Sequence, residues 1–423
     1  MRANDTGGGT LANPSVAISR TSSFTTTIIL CVLVAICEGV DLQAAGVAAP
    51  KLGPAFGMTP DQLGLFFSTS TFGLMLGAAI GGRLSDRFGR KTVLIGSIAV
   101  FGLMSIATAL SPAVSALLTF RFLTGVGLGG ALPNLLALAA ENTPPERRNT
   151  ALGLLYGGLP TGGALVSLIS LIGETDWRIV FHLGGFAPLL LIPLLIFFLP
   201  ESRELKEAKA ESSDHSLHPK SIPFALLGEG RAARTALLWV SFFLALVAMY
   251  VLLNWLPTIM VGRGLSKPDA SLVQIAFNVF GAAASAATGM SMDRLPLKTV
   301  TLGAFLSAVI GIVVLWVAPV TLGVSLLVGG LVGATISTTQ ALLYALAPSA
   351  YPTAVRGTGV GAAVAWGRLG SALGPLLAGF LLSSGAAPAD VLLQLAPILV
   401  VSGAAAFVLS LMIGKDRAVG GGH

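Results

Sequence analysis

About twenty mostly apolar residues follow one another, twelve times along this chain, before a charge or a Pro/Gly cluster intervenes. The stretches are about 25–49, 62–82, 92–111, 114–140, 149–171, 178–199, 235–257, 270–290, 299–319, 322–347, 357–382 and 390–413. A helix crossing a bilayer core needs about 20 such residues. Of the 423 residues, 54% are hydrophobic and 10% charged, whereas soluble domains carry roughly 25% charged residues. Mean hydropathy is +0.85. No water-soluble interior accommodates this much apolar chain, so the expected fold class is an all-α membrane protein with twelve transmembrane helices.

The long polar interruption is 200–234, which contains ESRELKEAKAESSDHSLHPK. It divides the chain into a disordered tail (1–24), a six-helix bundle (25–199), a linker (200–234), a second bundle (235–413) and a tail (414–423). The first apolar run is too long for a signal-peptide core and is expected to stay as a helix. With the N-terminus inside, 19 Lys and Arg residues fall in cytoplasmic segments and 4 outside. Both termini and the linker are therefore expected on the cytoplasmic side. The net charge of +6 reads as topology, and nucleic acid is not an expected partner. Cys31 and Cys37, the two cysteines, suggest neither a disulfide framework nor a zinc site.

The halves repeat. GRLSDRFGRKTVLIG at 82–96 aligns with GMSMDRLPLKTVTLG at 289–303, each expected as the loop between the second and third span of its half. Parallel repeats of this kind face each other across a cavity; the best-known case of that architecture is the major facilitator fold.

Charges at bilayer depth are costly and mostly face a wet cavity or a partner. Here they are Glu38, Asp41, Arg121 and Arg368. Glu38 and Asp41 are spaced i to i+3, on one helix face. Asp41 and Arg121 are expected at similar depth, and Gln43 is expected to point elsewhere. A carboxylate can take up and release a proton; an arginine stays charged but can fork a carboxylate. Asp41 and Glu38 therefore suit proton coupling, and Arg121 and Arg368 suit an organic anion. The bland alternative is an Asp41–Arg121 ion pair that only joins two helices. Trp366, Gln340, Tyr344, Asn254 and Trp255 are the plausible cavity groups of the second half. Metal clusters, a nucleophile with a base, and phosphate loops are not found, so an enzyme is not expected.

GRLSDRFGRK, through Gly82, Asp86, Arg87, Gly89, Arg90 and Lys91, resembles the signature of the major facilitator superfamily. RFLTGVGLGG at 121–130 and LPES at 199–202 resemble further motifs of that superfamily, over the whole chain. EGVDLQAAGVAAP at 38–50 resembles the first helix of the aromatic acid:proton symporters, with Glu38 at a position that is often Asp. GVGLGGALPN at 125–134 and RGTGVGAAVAWGRLGSALGP at 356–375 fit the same family. The resemblance implies two pseudo-symmetric six-helix bundles. It implies import of hydroxyphenylpropionate- or hydroxybenzoate-like acids with protons, by alternating access, through the bacterial inner membrane. It implies no cofactor, a monomer, and the six signature residues as a gate, with Asp86 at the N-terminus of the eleventh helix. Glu141 is expected to pair with Arg147 or Arg148. Two alternatives remain open: a proton-linked efflux antiporter, against which GGLPTGG at 157–163 lacks one glycine of that motif, and a non-transporting membrane sensor.

Overall fold

The structure is a computed structural model describing residues 14–144, 148–172, 176–201, 226–228, 231–352 and 355–420. At 14–24, 82, 86, 140, 148–150, 152–153, 172, 286, 289–294, 357 and 414–420 it describes the backbone course alone. Among the described residues the regular structure is helical. In chain order the long helices are α1 (Pro14–Phe56), α2 (Pro60–Phe88), α3 (Arg90–Ala109), α4 (Val114–Glu141), α5 (Arg148–Ile172) and α6 (Arg178–Phe198). The second half has α7 (Ala232–Gly262), α8 (Lys267–Arg294), α9 (Leu297–Val317), α10 (Leu322–Leu346), α11 (Arg356–Ser383) and α12 (Pro388–Gly420). Eleven are long and apolar enough to cross a membrane. The exception, α8, carries Gln274, Asn278, Ser285 and Thr288, and it packs against α5 and α10.

Two expected boundaries move. α1 begins at Pro14, inside the stretch expected as a tail, and continues past Pro50 and Pro54. Proline is tolerated there because neighbouring helices and local adjustments satisfy the freed carbonyls. The expected loop at 82–91 is also almost wholly helical. α2 runs to Phe88 and α3 starts at Arg90, so the reversal is made at Gly89 alone, with φ +100°. Only glycine adopts that backbone readily. A Cβ there would also stand 2.7 Å from Glu201 Oε2, so the Glu201 carboxylate would have to shift. Most of the expected linker lies outside the described residues.

The packing follows the repeat. α2 packs on α4 as α8 does on α10; α1 on α5 as α7 on α11; α3 on α6 as α9 on α12. Within the first bundle α2 and α4 meet through glycines. Cβ atoms added at Gly73, Gly77, Gly125 and Gly129 would lie 2.0, 2.0, 1.9 and 2.0 Å from carbonyl oxygens of the facing helix. Small residues let membrane helices approach this closely, where van der Waals packing drives association.

The bundles meet along two symmetry-related seams, α2 with α11 and α5 with α8. One end of the molecule, the basic end, carries Arg83, Arg87, Arg90 and Lys91 around the α2–α3 turn and Arg231 and Arg234 at the start of α7. Toward the opposite end, Ser383 Oγ donates to Asp61 Oδ1 (2.8 Å) and Ser68 Oγ to the Ala372 carbonyl (2.6 Å). Phe67 meets Trp255 edge-on at 5.1 Å. A Cβ at Gly64 would lie 2.7 Å from the Pro375 carbonyl. These contacts draw the bundles together at that end.

Candidate transport site

The first polar centre lies inside the first bundle. Asp41, from α1, is fully buried and Arg121, from α4, is 1% exposed. Arg121 Nη1 donates to both Asp41 carboxylate oxygens, at 3.1 and 3.0 Å. Its Nη2 reaches the Asp41 carbonyl at 3.4 Å, and its Nε has no partner. The guanidinium lies 5.7 Å over the Phe181 ring of α6. From α3, Ser105 Oγ stands 3.1 Å from Asp41 Oδ1 and 3.1 Å from the Phe181 carbonyl. One hydroxyl proton serves one acceptor at a time. Ser105 can therefore donate to an ionised Asp41, or accept from a protonated one while donating to Phe181.

The second centre forms where the bundles face. Arg368 Nη1, on α11, donates to the Tyr250 hydroxyl of α7 at 2.9 Å. Tyr156 of α5 and Tyr344 of α10 lie with ring centroids 6.0 Å apart across the bundles, and Phe242 of α7 meets Tyr344 edge-on at 5.2 Å. Tyr156, Tyr344 and Glu38 all fall within electrostatic reach of Arg368. Glu38 is 2% exposed, and its Oε1 has no hydrogen-bond partner. Of the chain's four tyrosines, Tyr250 thus contacts the guanidinium, and Tyr156 and Tyr344 lie within its electrostatic reach.

Glu38 and Asp41 do not share a destination. Their 60° offset on α1 sends Asp41 into its own bundle and Glu38 toward Arg368 of the other. Gln340, one turn from Tyr344, is buried with both amide atoms unpartnered. Asn254 is buried, and its Nδ2 donates to the Tyr250 carbonyl at 2.9 Å. Two expected cavity groups lie elsewhere. Trp255 is spent on the seal: its indole donates to the Pro375 carbonyl at 3.0 Å and packs on Phe67. Trp366 is 40% exposed, in line with exposed Leu373, Leu377 and Phe380. It stacks on Trp239 at 5.0 Å. Seven residues make nearly two turns, so Trp366 belongs to the bundle's outer face.

At the basic end, Arg90 forms an ion pair with Glu141. Arg90 is therefore the described partner of Glu141; Arg147 and the Arg148 side chain lie outside the described residues. Lys91 N–H donates to Glu201 Oε1 (3.0 Å) and its Nζ to the Ile196 carbonyl (2.7 Å). Arg87 lies 5.2 Å from the Phe88 ring centroid. The Asp86 side chain and Gly82 lie outside the described side chains, and so does the latch expected of Asp86. What is described ties the α2–α3 turn to α4 and to the end of α6.

Sequence reasoning passed over Tyr156, Tyr250, Ser105, Gln274 and Asn278, and it turned Gln43 away from the cavity, whereas Gln43 meets Asn278 of the other bundle. The signal available for the tyrosines was their rarity at mid-span. No spacing rule marks Ser105.

A family model described as Major Facilitator Superfamily matches residues 31–375, and the chain belongs to that superfamily of membrane transporters. It is a multi-pass transporter and not an enzyme. Among its relatives, it is 42% identical over 392 residues to the 3-(3-hydroxy-phenyl)propionate transporter of Escherichia coli, covering 92% of this chain and 95% of that protein. It is 33% identical over 389 residues to the 4-hydroxybenzoate transporter PcaK of Pseudomonas aeruginosa, covering 85% and 86%. The crystal structure of a D-xylose-proton symporter superposes with a TM-score of 0.72 at 20% identity, covering 92% of this chain and 97% of that one. At that identity the likeness is one of fold.

Proposed function

We propose that this transporter imports a hydroxyphenylpropionate- or hydroxybenzoate-like carboxylate together with a proton, by alternating access. The proton gradient drives it without a cofactor. It acts as a monomer in a bacterial inner membrane, with the basic end and both termini cytoplasmic. One observation carries the reading: Arg368 stands among Tyr156, Tyr250 and Tyr344 between the two bundles, with its Nη1 on a neutral phenol. A carboxylate is a far stronger acceptor for a guanidinium fork than a phenol, so the Tyr250 hydroxyl holds the place of the substrate's carboxylate. The tyrosine rings and Phe242 offer faces and edges to an aromatic ring. The names of the relatives support the same substrate class.

Of the two arginines, Arg368 suits the substrate better. Arg121 is already matched to Asp41 within its own bundle, while Arg368 has no carboxylate in contact among the described residues. Asp41 is then the proton site. Protonation loosens its hold on Arg121 and turns the Ser105 hydroxyl toward Phe181, while Glu38 answers electrostatically to what binds at Arg368.

Binding of a radiolabelled hydroxylated aromatic acid to the purified protein tests the carboxylate site. Arg368→Ala should weaken binding about 10- to 100-fold, the range of a charge-assisted hydrogen bond, and leave the protein folded. Arg368→Lys should recover little, because a point charge cannot fork. Binding by Arg368→Ala at the wild-type level would refute the assignment. Uptake into proteoliposomes with only a pH difference imposed tests direction and coupling; proton flow opposite to substrate would instead identify an efflux antiporter.

A further inference from the structure

A second polar layer lies toward the end opposite the basic one, made of buried carboxamides. Gln43 Nε2 of α1 donates to Asn278 Oδ1 of α8 at 2.9 Å, and Asn278 Nδ2 returns a bond to Gln43 Oε1 at 2.8 Å. Gln274 Nε2 donates to the same Gln43 oxygen at 3.1 Å. All three side chains are at most 4% exposed. Gln43, expected to point elsewhere, therefore crosses from one bundle to the other. Gly163 of α5 leaves it room: a Cβ there would stand 2.0 Å from Gln43 Nε2. The set is one bond short, since Gln274 Oε1 is buried and accepts from no described donor.

Helix rise gives the depth of this layer. Gln43 is five residues beyond Glu38 along α1. Asn254 is four beyond Tyr250 along α7, and Gln340 is four beyond Tyr344 on α10, which runs the other way. At about 1.5 Å per residue the amides lie roughly 6–8 Å past the Arg368 layer. That separation is on the scale of the distance between the carboxylate and the ring hydroxyl of a hydroxylated aromatic acid.

We propose that this amide layer is the subsite for the ring hydroxyl, with Gln274 Oε1 as the acceptor of its O–H. The inference rests on the reading of Arg368 as the carboxylate partner. A neutral carboxamide suits this role, because it accepts from a phenol yet does not add a second full charge to compete for the substrate's carboxylate. The amides come from both bundles, so the hydroxyl enters as α1 and α8 part: its O–H donates to Gln274 Oε1, and its oxygen accepts from Asn278 Nδ2, which otherwise donates to Gln43 Oε1. A pocket that offers a buried hydrogen-bond partner rejects the analogue lacking the hydroxyl, because its own polar group is left unpaired. An amide contact that only closed the gate would not distinguish the two ligands.

The test uses the full-length transporter in lipid nanodiscs and two probes, 3-(3-hydroxyphenyl)propionate and 3-phenylpropionate, with Kd measured by calorimetry. The wild type should prefer the hydroxylated acid by about tenfold or more. Gln274→Leu should bring the two acids within about twofold of each other, by weakening the hydroxylated one. Gln274→Met, which keeps the length, stands in if leucine destabilises the fold. Absence of preference in the wild type would overturn the subsite. So would a preference that survives removal of the amide, or an equal weakening of both acids. Arg368→Ala separates the two readings. If it binds both acids like the wild type, the carboxylate assignment fails and the subsite with it. If it loses both acids while the amide variants keep the preference, only the hydroxyl subsite fails.

Discussion

At residue scale two acids three positions apart meet different partners, and the proposed coupling rests on that difference. Asp41 accepts from Arg121 Nη1 through both oxygens and lies beside Ser105, with no exposure. Deleting its side chain would strand a buried arginine, a change that costs about 3–5 kcal/mol, so the informative substitution keeps the shape. Asp41→Asn, a permanent mimic of the protonated form, should abolish accumulation driven by a pH difference yet retain exchange of labelled for unlabelled substrate. The check is counterflow and gradient-driven uptake in the same proteoliposomes. If the variant still concentrates substrate, Asp41 is a structural ion pair and the proton is carried elsewhere. The sequence offered this pair as one of two readings of Arg121, because a charge at bilayer depth faces either a wet cavity or a partner of opposite sign. The partner of Gln43 was not legible, because a neutral amide can be satisfied by any neighbouring polar group and helix periodicity does not say which bundle it faces.

At the scale of elements the fold depends on how closely backbones approach. Gly77 has the Val126 carbonyl where its Cβ would be, at 2.0 Å, whereas Gly303 on α9 has nothing within 4 Å. Gly77→Ala should therefore destabilise, by about 1–3 kcal/mol as in other overpacked interiors. Gly303→Ala should be neutral, or stabilise by about 0.5–1 kcal/mol through helix propensity. Thermal unfolding midpoints in detergent compare the two; equal shifts would deny the α2–α4 contact. The turn at Gly89 obeys the same logic with an added conformational demand, since a side chain would meet both a positive φ and the Glu201 carboxylate. The signature residues thus first build a sharp reversal, with Arg90 on Glu141 and the Lys91 amide on Glu201.

At the scale of the whole molecule, the proposed alternating access requires the seams between bundles to open and close. Asp61 and Ser383 touch at the exposed end opposite the basic one, with hydrogen bonds of 2.8 and 3.0 Å, one residue from each bundle. Cysteines at both positions, in a background without Cys31 and Cys37, should form a disulfide on oxidation. That bridge should abolish uptake, and reductant should restore it. Undiminished uptake by fully cross-linked protein would mean that this end need not open.

Sequence was enough for the class of the molecule, its apolar spans, the repeat, and the short list of charges placed at bilayer depth. Each follows from a cost that acts locally: apolar length against bilayer thickness, and charge against hydrocarbon. Tertiary structure alone decided which polar groups share a site. Tyr156, Tyr250 and Tyr344 come from three helices and both bundles, and only the packing of those helices brings them to Arg368. The same packing turned Trp366 outward and spent Trp255 on the seal. A rotation of one helix by a single residue step, about 100°, changes no composition and no span length, yet it decides whether a side chain meets lipid, a neighbour or the substrate.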